Sequence, residues 1–184
     1  MVDLRHLNTF LRDMGVKYET LKRLQVMSRP GDWALSFDLA DGFHCCSIAN
    51  DDRPYLTFML QGQLYRCTVL PFGLSCSPAV FCQTMETLTR LLRSPDVALK
   101  PDQLSPAQWL QLRDRLMRRR PVTYSGQRCL PFVDDYLILF SSRAAAFEGR
   151  VVIDRALEFL GLERQLGKGD WEPTQTLYHL GFDL

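Results

Sequence analysis

The sequence lacks any apolar run approaching the roughly 18 residues of a membrane-spanning helix, and no charged-then-apolar stretch opens it. No membrane partner is therefore expected. It also lacks a Cys-x-x-Cys pair. The six cysteines (Cys45, Cys46, Cys67, Cys76, Cys82 and Cys129) have no nearby histidine at zinc-ligand spacing. Cys45 and Cys46 are adjacent, a poor geometry for a structural disulfide, so reduced thiols and an intracellular setting, cytoplasmic or nuclear, are expected. Histidine is scarce. The three present, His6, His44 and His179, are scattered and read as structural residues. Net charge is almost absent, at +1, so overall charge does not announce a nucleic-acid binder. Repeats, linkers and low-complexity tracts are missing too.

What is present is an ordinary globular balance: 184 residues, 46% apolar and 23% charged, enough for one domain with a real core. The charge is unevenly spread. Between positions 93 and 128 there are eight basic residues (Arg93, Lys100, Arg113, Arg115, Arg118, Arg119, Arg120, Arg128) against Asp96, Asp102 and Asp114. Both a solvated helix face and a nucleic-acid contact fit that run.

Periodicity outlines the elements. "VDLRHLN" reads as extended, and Val16 to Met27 as a helix with Leu21, Leu24 and Met27 on one stripe. "DWALSFDL" alternates like a strand. "YLTFML", a Gln-Gly turn and "LYRCTVL" predict a β-hairpin. Ser77 as N-cap and Pro78 predict a helix carrying Val80, Phe81, Met85, Leu88 and Leu92, and a second Ser-Pro start predicts another from about Pro106. A helix is expected from Ser142 to Leu160, stopped by Gly161. "TLYHLGFDL" alternates to the end. Strands and helices mix without regular βαβ alternation, which predicts an α+β fold.

The most informative stretch is "CLPFVDDYLILF", two apolar strands broken by Asp134 and Asp135. Two carboxylates about 4 Å apart repel by roughly 4 kcal/mol at an effective dielectric of 20, so the pair needs a cation, a shared proton or a wet hairpin tip. Asp51-Asp52 shows that the dipeptide alone means little, since "ANDDRP" is a polar turn needing no function. Successive strand side chains face opposite ways, so a third carboxylate would complete a better site. Asp38, ending "WALSFDL", is the candidate. All-oxygen ligands select Mg²⁺ or Mn²⁺, and hard cations on shared carboxylates suit two-metal phosphoryl transfer. On this chemistry alone polymerase, nuclease and cyclase stay open.

Six blocks in order resemble reverse transcriptases: "VDLRHLN"; "FDLADGF", with Asp, four residues and an aromatic; "LPFGLSCSPAVF"; "FVDD"; Lys168; and "LGF". The wording of "GDWALSFDLADGFHCCSI" and "PTQTLYHLGFDL" is most similar to DIRS-like retroelements, then gypsy-like ones. The resemblance implies a right-hand palm with partial fingers, an antiparallel sheet backed by helices, with Mg²⁺ or Mn²⁺ as two bound ions. Asp38 and Asp134 would hold both, Asp135 would complete the catalytic cluster, and the Leu39 carbonyl would face a metal. Phe43 stands where an aromatic gate excludes a ribose 2′-OH. Phe72 and Gly73 match the pair that contacts the incoming dNTP; retroviral enzymes carry glutamine where Phe72 stands. Lys168 is placed near the pyrophosphate leaving group, and Leu180, Gly181 and Phe182 in the primer grip. Arg5 would touch template or nucleotide or form an internal ion pair. Arg118, Arg119 and Arg120 would meet template.

The same resemblance implies that residues 1–184 are a fingers–palm core cut short at both ends, without upstream fingers strands, thumb or RNase H parts. A basic helical insert would occupy residues 94–128. The expected activity is RNA-directed DNA synthesis on a primed RNA or DNA template. The alternative is a non-catalytic truncated or domesticated remnant that binds nucleic acid or a partner. An RNA-dependent RNA polymerase is disfavoured by Phe43 and by Phe-Val before the aspartates. Oligomeric state is not readable.

Overall fold

The apolar alternations become strands in the computed structural model, which describes residues 2–16, 18–93, 105, 107, 111, 127–176, 178–179 and 182–183. In chain order the elements are α1 (Arg5–Asn8), α2 (Leu21–Met27), β1 (Trp33–Asp38), β2 (Thr57–Leu60), β3 (Gln63–Arg66), α3 (Ser77–Arg93), β4 (Arg128–Phe132), β5 (Asp135–Phe140), α4 (Arg143–Leu160), β6 (Tyr178–His179) and β7 (Phe182–Asp183). Short 3₁₀ turns cover Gly42–Cys45 and Arg53–Leu56. The chain divides into two compact units, residues 1–17 with 41–84, and residues 18–40 with 85–184.

The larger unit is built on an antiparallel sheet of order β1-β5-β4. β5 sits between two neighbours, which is why "YLILF" is continuously apolar: Tyr136, Leu137 and Ile138 are almost wholly buried. Each such side chain contributes about 1.5–3 kcal/mol relative to exposure. Helix α4 packs against β1 and β5. Ser142 caps it by accepting the Ala145 N–H, and Gly161 ends it at φ 67°, as the sequence predicts. Leu24 and Met27 of α2 join Ala34, Leu130, Leu137 and Leu139 in one buried cluster.

Ionic ties brace this sheet. Arg128 grips Asp32 through two hydrogen bonds of 2.5 and 2.6 Å and donates to the Met27 carbonyl at 2.7 Å. Arg93 donates to the Cys129 carbonyl and pairs with Glu19 at 2.9 Å.

The smaller unit carries the β2–β3 ribbon, closed by Gln61 and Gly62 at φ 50° and 77°. Two central residues at positive φ make the turn that matches strand twist. Leu4, Ile48, Leu56, Leu70, Leu74 and Phe81 are among its buried apolar residues.

Three local expectations need correction. "VDLRHLN" is not extended throughout, because the Asp3 carboxylate accepts the Arg5 N–H and starts the α1 turn. The helix expected from Val16 begins at Leu21, after Thr20 in an extended conformation. Ser77, expected as the N-cap, is instead the first residue of α3, and its hydroxyl donates to the Pro71 carbonyl at 3.0 Å, tying the helix start to the preceding loop. The helix expected from Pro106 and the insert of residues 94–128 fall largely outside the described residues. Among the described residues no helix is long and apolar enough to cross a membrane.

Candidate active site

Register decides the site. β1 and β5 pair from Trp33↔Phe140 to Asp38↔Asp135, so the two aspartates face each other at the closing end of the ladder. Directly paired residues share a sheet face, which puts both carboxylates on one side. Asp134 occupies the two-residue tip between β4 and β5, with its backbone carbonyl accepting the Leu39 N–H at 2.9 Å. Its turn neighbour Val133 has φ 59°. A β-branched side chain there is strained by about 1–2 kcal/mol, a cost held by the strands on both sides.

The electrostatics follow from this pairing. Asp135 is pushed up to about 7, first by burial, then by a hydrogen bond with Asp38 and the charges of Asp38 and Asp134, partly offset by Lys168. Burial and the facing carboxylate both favour the protonated form of Asp135. The donor set is all oxygen, which fits a hard divalent ion. Among the described residues no three His, Cys, Asp or Glu side chains converge as a metal-holding group.

Lys168 Nζ lies 3.4 Å from Asp38 Oδ2. The segment carrying it runs along the outer edge of β1. Ala40 N–H donates to Glu163, Gln165 N–H to Asp38, Ser36 N–H to Asp170 and Ala34 N–H to Thr174, each at 2.8–2.9 Å between backbone groups. Leu39 is buried at the end of that edge.

In the smaller unit, Phe43 is half-buried, with its ring 5.3 Å from both Phe72 and Phe81. Phe72 is 53% exposed, and Gly73 adopts φ 90°. Asn8 holds this loop from both sides: its amide donates to the Gly73 carbonyl and its carbonyl oxygen accepts the Ser75 N–H, each at 2.9 Å. Arg5 is spoken for by a fork to Asp3, the internal ion pair among its two expected uses. Leu180, Gly181, Arg118, Arg119 and Arg120 lie outside the described residues; Phe182 is described only as backbone of β7. Asn8, Ser36 and Gly169 were not singled out from the sequence, although a lone serine amid "ALSF" and the Gly-Lys-Gly flanks of Lys168 were the available signals.

A helix-backed antiparallel sheet with aspartates at a hairpin tip and at the adjoining strand end defines the polymerase-palm class of α+β folds. The chain belongs to the reverse transcriptase (RNA-dependent DNA polymerase) family, which it matches over residues 1–184. Similar solved structures include the foamy viral protease-reverse transcriptase dRH in complex with ds DNA (TM-score 0.68, 18% identity, 98% of this chain and 26% of that one). The foamy viral protease-reverse transcriptase with RNA/DNA hybrid gives TM-score 0.68 and 18% identity over 100% of this chain and 20% of that one. Its complex with dsDNA gives 0.65 and 20% over 100% and 31%. The chain thus spans about a fifth to a third of the length of these proteins. No curated protein matches it.

Proposed function

We propose that this chain is the fingers–palm core of an RNA-directed DNA polymerase from a retroelement, most similar in wording to DIRS-like and then gypsy-like elements. It would extend a primer 3′-OH with dNTPs on an RNA or DNA template. The observation that carries the proposal is the Asp38↔Asp135 pairing, with Asp134 at the adjoining tip and Lys168 beside Asp38. Asp38, Asp134 and Asp135, with the Leu39 carbonyl, would hold two Mg²⁺ or Mn²⁺ ions. When bound, such ions activate the attacking hydroxyl and steady the leaving phosphate.

The chain's own groups do the rest. The facing carboxylates of Asp38 and Asp135 mark where cationic charge would be stabilised. Lys168 offers an ammonium to a leaving pyrophosphate. Phe43, buttressed by Phe72 and Phe81, presents a ring to the sugar, while Phe72 and Gly73 form a nucleotide-contacting loop held by Asn8. Leu180, Gly181 and Phe182 would grip the primer, and Arg118, Arg119 and Arg120 in the basic insert would meet template.

The test is Mg²⁺- or Mn²⁺-dependent primer extension on an RNA template beside Asp134→Asn. Incorporation lost in the variant supports the proposal; no incorporation by the folded wild-type chain returns it to the binding-remnant alternative. Phe43→Ala is expected to relax deoxyribonucleotide preference by about tenfold or more, read as the ratio of kcat/KM for dNTP and rNTP. Unchanged sugar discrimination removes the gate from the mechanism.

A further inference from the structure

Lys168 is an exposed side chain on a loop, yet its ammonium sits beside Asp38. A long, flexible lysine held only by one charge would sample many rotamers. The backbone beneath it is what limits that freedom. Gln165 N–H donates to the Asp38 carbonyl at 2.8 Å on one side of Lys168. On the other side, Asp170 is held twice by one residue: its carbonyl accepts the Ser36 N–H at 2.9 Å and its N–H donates to Ser36 Oγ at 2.7 Å. Ser36 is 4% exposed, the polar member of a strand that otherwise buries Ala34, Leu35 and Phe37. Among the described residues its hydroxyl is engaged by the Lys168 loop, through the Asp170 N–H.

Gly169 sets how closely the loop can lie. At φ 70°, a Cβ there would come 2.4 Å from the Ser36 carbonyl oxygen, 2.7 Å from its carbon and 2.9 Å from Phe37 Cα. These are backbone atoms of a paired strand and cannot swing aside. Gly167, at φ 83°, lets the chain turn on the other flank of Lys168. The loop is therefore clamped to β1 at Asp38 and at Ser36, two residues apart on one edge.

We propose that Ser36 and Gly169 are positioning residues: they lock the 165–170 loop against β1 and so aim Lys168 at the Asp38 carboxylate. This rests on Lys168 acting at the reacting site, and it adds two residues that touch neither nucleotide nor metal.

The test uses the full chain with Ser36→Ala, Ser36→Thr, Gly169→Ala, Lys168→Gln and the double variant Ser36→Ala/Lys168→Gln. Single-nucleotide incorporation should slow about 10-fold in Ser36→Ala with the KM for dNTP little changed, and recover in Ser36→Thr, which keeps the acceptor oxygen. In the Lys168→Gln background, Ser36→Ala should change the rate by less than about 2-fold, because the lysine it positions is gone. Equal slowing in both backgrounds overturns the proposal.

Hydrogen exchange gives an answer independent of activity. The Asp170 amide should exchange about 10-fold faster or more in Ser36→Ala while β5 amides keep their protection, and acetylation of Lys168, read by mass spectrometry, should accelerate. Unaltered Asp170 exchange overturns the clamp even if activity falls. If the wild-type chain extends no primer, the polymerase reading fails while exchange and acetylation still decide the clamp. Should Gly169→Ala fail to fold, Ser36→Ala decides alone, since it deletes a single hydroxyl.

Discussion

The molecule holds two Asp-Asp pairs, and the same dipeptide does different work in each. Asp51 and Asp52 are exposed, in a turn where the Asp52 N–H donates to Ala49 and its carbonyl accepts from Tyr55. Water solvates both carboxylates there, and the backbone satisfies itself. Asp134 and Asp135 sit between two apolar strands, and Asp135 opens β5 opposite Asp38. Burial and a facing carboxylate change its proton affinity, which no turn solvated by water would do. Flanking sequence, and not the dipeptide, separates a soluble corner from a charged site.

The largest expected effect sharpens that contrast directly. Asp134→Asn keeps the size and the backbone of the hairpin tip but removes a charge. Primer extension should fall by more than about 100-fold, beyond the loss typical of a group acting through a ligand, while circular dichroism and unfolding midpoint stay close to wild type. Retained turnover would break the comparison by making Asp134 as inert as Asp51.

A third carboxylate, Asp32, shows what a cationic partner does in place of a facing acid. Burial alone would raise it, but the Arg128 fork and the Arg29 N–H overcome burial and hold it below the ordinary carboxylate range. Its side chain is 10% exposed and that of Arg128 14%. Asp32→Ala strips that part-buried guanidinium of its carboxylate, leaving it the Met27 carbonyl, and should cost about 3 kcal/mol, read by denaturant unfolding. The sign with pH follows from the lowered value: the stability is present above the unfolded carboxylate range and is lost as pH falls through the lower folded one. A wild-type stability that is flat through that acid range would show that the fork carries little.

Asp135 should behave oppositely. Its folded value is raised, so its contribution is complete below about 3.8 and is lost as pH rises through about 7. Asp38→Asn removes the facing charge and should flatten this slope between about pH 4 and 7, measured without divalent ions. A slope unchanged in the variant would assign the shift to burial alone.

These contrasts also show how far the sequence could be read. "WALSFD", the two halves of "CLPFVDDYLILF", the Gln-Gly hairpin and the Ser142–Gly161 limits of α4 were legible because side-chain period, caps and turn residues are local signals. Asp38 could be nominated because an anion ends an apolar strand. That it faces Asp135 depends on register between strands far apart in the chain, which period alone does not fix. The segment from Glu163 to Thr174 was harder still. It reads as a polar, glycine-rich loop, and its attachment to β1 is made mostly by backbone groups that every residue possesses. Asn8 escaped for a related reason, since its two bonds end on the backbone of Gly73 and Ser75.

The smallest expected effect is the most exacting for the opening comparison. Asp51→Asn alters an exposed turn held by backbone hydrogen bonds among Ala49, Asp52, Arg53 and Tyr55 and by the Arg53 side chain on the Ile48 carbonyl. Losing one solvated charge there should change stability by less than about 0.5 kcal/mol and leave primer extension at the wild-type rate. Both Asp51→Asn and Asp134→Asn remove one formal charge from an Asp-Asp pair, so long-range electrostatics would penalise them alike. A loss at Asp51 matching that at Asp134 would mean that net acidity governs activity. A silent Asp51→Asn beside an inactive Asp134→Asn would place the effect in the hairpin tip and its register with β1.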